Sequence, residues 1–293
     1  MARINLWLSQ LATWVLFSER SSRSSGLIRI GLAFLAWGRF ANDLGVFNHT
    51  ELYEYGISAV FFISTTFMVL GIFSRFSTLV TGLTILVMYF VDLSDAILRG
   101  WWAHHIYLLG FATILCALTP CGRSYSVDRW LAIRRAQRRN EPLPEEAGNV
   151  WALRLIAIQV SSVYLWSAFD KLNIAFLSGE RIQAIVMAKI YGSTFPGFDG
   201  FTTLALLIGV STVIIEITLG IGLLIPRVRP FLVVVGFFFH GTIFILLPVF
   251  TFSATMWVLY LAYFNPDEIH KMIDKLQGHL DGPLLEKDIQ IAE

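Results

Sequence analysis

Apolar runs follow one another along the chain, and short polar connections separate them. A helix needs about 20 mostly apolar residues to cross a bilayer. The pattern predicts about eight spanning helices, of which the last is shorter than the others. Lipid admits only helices or closed barrels, and these runs have helical length, so we expect an all-α, polytopic membrane protein. The predicted spans are 27–47, 56–74, 77–97, 101–120, 150–175, 202–226, 230–248 and 251–264.

Two surface segments flank the predicted helical transmembrane domain, residues 26–264. The N-terminal segment, residues 1–25, has a broken apolar stretch without a small-residue cleavage site, which favours an interfacial amphipathic helix over a signal peptide. The C-terminal segment, residues 265–293, places apolar side chains at helical spacing between Ile269 and Leu276. We expect it to form a cytoplasmic surface helix and a short polar tail.

Composition supports the membrane assignment. Hydrophobic residues make up 56% of the 293 residues and charged residues only 15%, and the mean hydropathy is +0.65. The net charge of +1 gives no basic field that would recruit nucleic acid, so no nucleic-acid partner is expected. Cys116 and Cys121 are too few for a disulfide framework and too isolated for a metal site, so no metal is expected.

The positions of the basic residues predict the orientation in the membrane. Six arginines lie in the connection between Cys121 and Asn149, and short cytoplasmic loops carry an excess of lysine and arginine. With that connection inside, both termini also lie in the cytoplasm, and the connections around Asn48–Tyr55 and Ser178–Gly200 lie outside. Arg99, on an outer connection, is the one exception.

Lys171 places an amine near the far end of an apolar run, seven residues after Tyr164 and on the same helix face. A lysine at the centre of a spanning helix costs roughly +2.5 to +3.5 kcal/mol, so such residues usually face a cavity or a partner and mark function. An amine that gives up its proton in such a site can act as a base. Lys171 is therefore a candidate base within the membrane.

Four other ionisable side chains lie on other predicted spans. The rise of about 1.5 Å per residue predicts their depth in the membrane. His105 lies near the outer end of its helix, like Lys171. Glu216 and His240 lie near mid-membrane, and Arg39 lies in the outer half. All five could converge on a cavity that opens outward. A base there suits the deprotonation of a phenol or hydroquinone, and an apolar cavity would dissolve a lipid-tailed quinone.

Structural explanations stand beside these functional ones. Glu216 could instead form an ion pair with Arg39 or Lys171, and Gln159 and Tyr164 could be ordinary interhelical hydrogen-bond partners. A buried histidine also often only satisfies a neighbouring polar group. The sequence leaves both interpretations open.

Several spaced motifs resemble the HTTM (horizontally transferred transmembrane) family, which includes the membrane portion of the vitamin K-dependent gamma-carboxylase. Trp102-Ala-His-His105-Ile-Tyr107-Leu-Leu-Gly110 is similar to a motif of that family, as is Ser126-Val-Asp128 after it. Gln159, Tyr164, Lys171-Leu172 and Gly179 resemble the spacing around the carboxylase's catalytic lysine. Arg229 and His240 match its Arg-x10-His pattern, and Glu216 stands where the family has an acidic residue.

The resemblance implies a hydroquinone-dependent oxygenase or carboxylase-like enzyme. Lys171 would deprotonate reduced vitamin K or menaquinone to begin its epoxidation. His105 and His240 would support the reduced cofactor or the reacting groups. A glutamate-containing substrate could then be carboxylated. The residues that we assign to cofactor binding are Tyr164, Gln159, Glu216, Arg39 and Trp102. The expected partners are a lipid quinone and a peptide or protein substrate on the extracytoplasmic side. The expected location is a bacterial plasma membrane.

A second role is also compatible with the resemblance. The carboxylase continues into a large lumenal domain that engages a propeptide, whereas this sequence stops at Glu293, so propeptide-directed carboxylation is not expected. Short bacterial relatives include proteins that resemble the maturation factors of sporulation-delaying peptide toxins. The alternative is therefore a non-enzymatic or peptide-maturation membrane factor. A transporter is a weaker third option, because neither repeat symmetry nor paired broken helices are evident.

Overall fold

The computed structural model of the protein describes residues 18–45, 52–90, 103–188, 200–247 and 249–281. These residues are mainly helical, and β1 (Glu19–Ser21) and β2 (Ala147–Asn149) form one short two-stranded sheet. The helices are α1 (Arg23–Phe40), α2 (Leu52–Leu70), α3 (Ser74–Phe90), α4 (His104–Ala117), α5 (Val127–Arg139), α6 (Trp151–Asp170), α7 (Ile174–Leu177), α8 (Glu180–Val186), α9 (Phe201–Gly222), α10 (Arg229–Leu246), α11 (Phe250–Leu259) and α12 (Pro266–Asp281), and a 3-10 turn, Tyr260–Ala262, follows α11.

The predicted all-α, polytopic membrane fold is confirmed. By length and composition, α2, α6, α9 and α10 are the four described helices able to cross a membrane. Shorter apolar helices are α3, α4 and the segment Phe250–Ala262. The count of eight spans is not confirmed. The predicted interfacial helix falls largely on residues 1–17, and the end of the predicted tail on 282–293, both outside the described residues.

The chain divides into two compact units, of which the first contains Met1–Ile156 and Leu261–Glu293. Within it, α3 and α4 pack closely through small residues: a Cβ added at Gly82 would lie 2.7 Å from the Ile114 side chain, and one at Gly110 would lie 2.7 Å from Leu86. Small residues let helix backbones approach each other where lipid provides no hydrophobic drive. The α3–α4 pair is thus the tightly packed centre of this unit.

One end of the first unit gathers segments that are far apart in sequence. Strand β1 pairs with β2 in antiparallel register, with Ser21 opposite Ala147. The Ser21 N–H also donates a hydrogen bond to Asp267 of α12 at 2.9 Å. Arg23 forms ion pairs with Glu146 at 2.8 Å and with Asp274 of α12 at 2.5 Å. These contacts place the start of the described chain, the arginine-rich connection and α12 at the same end.

The second unit contains Ala157–Tyr260. In it, α9 contacts α7, α8 and α10, and α10 contacts α11. Gly179 has a φ of +83°, and a Cβ there would collide with the backbone of Leu206, so the turn after α7 depends on a glycine. A cluster of Ala168, Phe176 and Val213 packs the end of α6 against α7 and α9. This packing holds the segment after α6 beside α9.

Candidate functional site

Lys171 forms an ion pair with Glu216 in the second unit. Its Nζ lies 3.0 Å from both Oε1 and Oε2 of Glu216. Nζ also donates to the Ser167 hydroxyl and, at 3.2 Å, to the Ser167 carbonyl oxygen. The Ser167 hydroxyl in turn donates to Glu216 Oε1 at 2.9 Å. Of the two partners that the sequence left open for Glu216, the structure pairs it with Lys171.

The end of α6 explains why the lysine side chain reaches α9. The helix ends at Asp170, and the side chain of Asn173 accepts a hydrogen bond from the Phe176 N–H at 3.0 Å, which caps α7. Lys171 therefore lies in a helix break, four residues after Ser167, from which its side chain reaches Ser167 on α6 and Glu216 on α9. The predicted span 150–175 is interrupted here because the asparagine cap competes with helix continuation.

The two members of the pair differ in exposure. The side chain of Glu216 is 6% exposed and that of Lys171 is 23% exposed. The lysine also lies above the Phe176 ring, with Nζ 5.8 Å from its centroid. The pair has two protonation states: ammonium with carboxylate, or amine with carboxylic acid. Only the second provides a base.

A second polar cluster in the same unit joins Tyr164, His240 and Tyr260. The Tyr164 hydroxyl lies 2.6 Å from His240 Nε2 and 2.5 Å from the Tyr260 hydroxyl. All three side chains are buried, with His240 fully so. His240 Nδ1 has no hydrogen-bond partner among the described residues, and neither does the buried Oε1 of Gln159. Such atoms are unusual in native proteins, where most buried polar groups are hydrogen-bonded.

Gly236 allows this cluster to form. It lies one helical turn before His240 on α10, and a Cβ at this position would collide with the Tyr260 hydroxyl. The rings of Phe239 and Phe252 pack edge-on against His240, with centroids 5.4 and 5.3 Å away. The imidazole is therefore surrounded by aromatic rings, and its polar contacts are limited to one side.

The two clusters share helix α6. Tyr164 and Lys171 are seven residues apart, which corresponds to about 10 Å along a helix and nearly two full turns. Their side chains thus start from the same face of α6. The second unit therefore contains an amine paired with a carboxylate, and a tyrosine–histidine–tyrosine chain lies nearly two helical turns from that pair.

Comparison with known proteins identifies the chain's family. The family model described as HTTM domain matches residues 40–267. The chain belongs to the HTTM family. HTTM is a membrane domain family associated with the vitamin K-dependent carboxylase. No curated protein matches the chain, and no solved structure matches it.

Other predicted site residues of this HTTM protein lie in the first unit. Arg39 is paired with Asp43, four residues later on the chain, at 2.7 Å, and not with Glu216. This spacing is typical of ion pairs along a helix. His105 is half-buried near the start of α4. Their convergence with Lys171 and His240 stays a prediction. Trp102, also assigned to the cofactor, lies outside the described residues.

Two of the HTTM-like motifs include residues with structural roles. The Asp128 carboxylate accepts hydrogen bonds from the N–H groups of Phe73 and Ser74, at 2.9 and 2.7 Å, and from the Ser74 hydroxyl at 2.7 Å. It therefore caps α3. Arg229 donates from Nε to the Leu223 carbonyl at 2.9 Å, just past the end of α9. These two residues stabilise helix ends.

Three contributors to the two clusters were not found from the sequence. Ser167 had a usable signal, because it precedes Lys171 by one helical turn. Tyr260 and Gly236 had no such signal in the sequence. Tyr260 contacts Tyr164 and Gly236 only because α10 and α11 fold together. Among the described residues, no group of three histidine, cysteine, aspartate or glutamate side chains is placed to hold a metal ion.

Proposed function

We propose that this HTTM protein is a membrane-embedded enzyme that uses a reduced, lipid-tailed quinone and oxygen, with Lys171 as its base. The observation that carries the proposal is that the Lys171–Glu216 pair lies directly after α6, the helix that provides Tyr164 to the buried Tyr164–His240–Tyr260 chain. A solely structural ion pair would not need a second, internally bonded polar cluster on the same face of α6.

The described residues fit a quinone-type cofactor. His240 Nδ1 and Gln159 Oε1 are buried polar atoms that find no partner within the described part of the chain, and such atoms suit the oxygen substituents of a ring. Phe239 and Phe252 provide aromatic surface beside the imidazole. When bound, a hydroquinone supplies the two electrons and the acidic hydroxyl that its oxygenation requires. A reduced menaquinone or vitamin K is therefore the cofactor that we propose.

Each residue has a definite task in this proposal. Lys171 Nζ, 3.0 Å from Glu216, would pass a proton to that carboxylate, and the neutral amine would then accept the hydroxyl proton that a bound hydroquinone supplies. His240 would hold an oxygen of the cofactor through Nδ1, while its Nε2 exchanges a proton with the Tyr164 hydroxyl. A glutamate-containing peptide on the extracytoplasmic side is the proposed substrate of the subsequent carboxylation.

Formation of a quinone epoxide tests the proposal directly. Purified protein is incubated with reduced menaquinone or vitamin K and oxygen, and the epoxide is measured by mass spectrometry. Lys171→Ala should lower the epoxide by about 10² to 10⁴-fold, the usual contribution of a positioned acid or base. Lys271→Ala is the matched control, because it removes an exposed lysine of α12. Wild-type epoxide levels from folded Lys171→Ala protein would exclude the lysine as base.

The ion pair itself favours the second candidate function, a non-enzymatic or peptide-maturation membrane factor. If the pair is only structural, Lys171→Met and Glu216→Gln should each lower the melting temperature, and the double variant should recover much of the loss. Removing one partner of a fully buried pair costs about 3 to 5 kcal/mol, and the partial exposure of Lys171 reduces this. Recovery of stability, with no epoxide from the wild type, would support this alternative.

A further inference from the structure

Helix α5 exposes a face that carries arginines together with large apolar side chains. At 100° per residue, Trp130, Arg134, Arg138, Leu131 and Arg135 occupy an arc of about 140°. All five are exposed. Arg139 lies at the edge of the arc and is also exposed. The only acidic residue of α5 is Asp128, and its carboxylate is bonded to the start of α3. We call this arc the basic face.

The first turn of α5 is fixed at the end of two apolar helices. The Asp128 N–H donates to the carbonyl oxygen of Gly71, which directly follows α2, at 3.0 Å. The Asp128 carboxylate binds Ser74, the first residue of α3. Residues that end or begin apolar membrane helices lie near the boundary with the headgroup layer. The basic face therefore starts at the level of the lipid headgroups.

The opposite face of α5 is already covered. Ala136 is buried. Arg129 donates to the Pro144 carbonyl at 3.0 Å and pairs with Glu146 at 3.0 Å. The segment that returns from α5 to β2 thus packs on this side. The basic face points away from it, and its charge is not neutralised by acidic side chains of α5.

The chemistry of the basic face matches anionic phospholipid. Arginine donates paired hydrogen bonds to phosphate oxygens. Tryptophan prefers the interface between water and hydrocarbon, where its ring is half in each. Clusters of basic residues close to the cytoplasmic end of membrane helices attract acidic lipids. A nucleic acid fits less well, because the Arg134 guanidinium lies 3.9 Å above the Trp130 ring and covers one of its stacking faces.

We propose that the basic face of α5 binds the phosphate headgroups of anionic phospholipids in the leaflet next to the α2–α3 connection. Arg134, Arg135 and Arg138 bind the phosphates, and Trp130 with Leu131 enters the boundary between headgroups and acyl chains. The occupant is the membrane's own acidic lipid, of the phosphatidylglycerol class. This proposal is independent of the quinone chemistry.

Lipid retention by the full-length protein tests the proposal. Protein in a neutral detergent is titrated with phosphatidylglycerol or phosphatidylcholine, and the bound lipid is counted by native mass spectrometry. We expect selective binding of phosphatidylglycerol that weakens as salt rises. Arg134→Gln with Arg138→Gln should lower that affinity about tenfold. Lys271→Gln with Lys275→Gln removes the same charge from exposed positions of α12 and should leave it unchanged.

Three results would overturn the proposal. The first is wild-type phosphatidylglycerol binding by the Arg134→Gln, Arg138→Gln protein with an unchanged melting temperature. The second is full competition by inorganic phosphate, which would assign the face to a soluble anion. The third is binding of a short RNA that depends on the two arginines while phosphatidylglycerol does not bind. If the double glutamine variant fails to fold, Arg134→Lys with Arg138→Lys replaces it, with partial retention expected.

Discussion

A single missing methyl group allows the buried tyrosine–histidine–tyrosine chain to form. Gly236 faces the Tyr260 hydroxyl across the contact between α10 and the turn after α11, at a distance that leaves no room for a Cβ. Tyr260 reaches Tyr164, 96 residues earlier in the chain, only because of that space. The residue that controls the cluster is therefore one with no side chain of its own.

Gly236→Ala should displace the Tyr260 ring and break its hydrogen bond to Tyr164. Overpacking of a buried contact typically costs about 1 to 3 kcal/mol, so the melting temperature in detergent should fall. Gly241→Ala is the matched control, because nothing lies within 4 Å of a Cβ at that position of the same helix. It should be neutral or stabilising by up to about 1 kcal/mol, since alanine suits a helix better than glycine. Equal effects of the two substitutions would show that the space at Gly236 is not needed.

At the residue scale, the sequence predicted what spacing along one helix can show. Tyr164 and Lys171 are seven residues apart in one apolar run, so their relation was visible from helical spacing, although α6 ends at Asp170. The ion pair to Glu216 was one of two options, because the sequence contains no distance between α6 and α9. Tyr260 was missed because a tyrosine in an apolar run is usual in membrane helices and carries no spacing signal.

At the scale of elements, the start of α3 depends on a residue from another helix. The N–H groups at a helix start lack partners within the helix. Here the Asp128 carboxylate, from the first turn of α5, binds those of Phe73 and Ser74. Gly71, with a φ of +70°, allows the connection to pass close to Arg29, which is fully buried. One carboxylate thus fixes the α2–α3 connection and the start of α5 together.

Asp128→Asn should destabilise the protein by about 1 to 2 kcal/mol, the usual cost of losing a helix cap. The amide keeps one acceptor oxygen but loses the negative charge that favours a helix N-terminus. The measurement is the melting temperature in detergent. Glu141→Gln serves as control: Glu141 is exposed, and its ion pair to Arg139 is 4.0 Å long, so little change is expected. A stable Asp128→Asn protein would show that the cap is dispensable.

Helix ends were the least predictable elements. The sequence predicts spans 77–97 and 150–175, whereas α3 covers Ser74–Phe90 and α6 covers Trp151–Asp170. A hydropathy pattern measures the length of an apolar run, but a helix ends where capping groups compete with its hydrogen bonds. Asn173 provides such a group within an otherwise apolar run. The break that it causes is what lets Lys171 reach Glu216.

At the scale of the whole molecule, the distribution of arginines predicts which ends of the helices share one side. The side of the membrane stays a prediction, but in the described part of the first unit β1 pairs with β2 and also binds α12, so these three segments lie at one end. The sequence could anticipate this because orientation depends on charge counts rather than on packing. The predicted convergence of five ionisable side chains required interhelical distances, and those are not encoded in hydropathy.

Labelling of single cysteines with a membrane-impermeant maleimide tests the orientation. The native cysteines, Cys116 and Cys121, are both buried, so their background should be low. Arg138→Cys in α5 and Lys271→Cys in α12 place exposed thiols at the end that we predict to be cytoplasmic. Leu52→Cys places a thiol at the start of α2, where the native leucine is 87% exposed. The 19 residues of this helix put that thiol about 28 Å from the other end of α2.

In intact bacterial cells, the thiol at position 52 should react, whereas those at 138 and 271 should react only after the membrane is permeabilised. Because Ser21 binds Asp267 and β1 pairs with β2, positions 138 and 271 should always behave alike. Reaction of both in intact cells, with protection of position 52, would reverse the orientation. It would also move the basic face of α5 to the outer leaflet, since the helix is fixed to that end of the first unit.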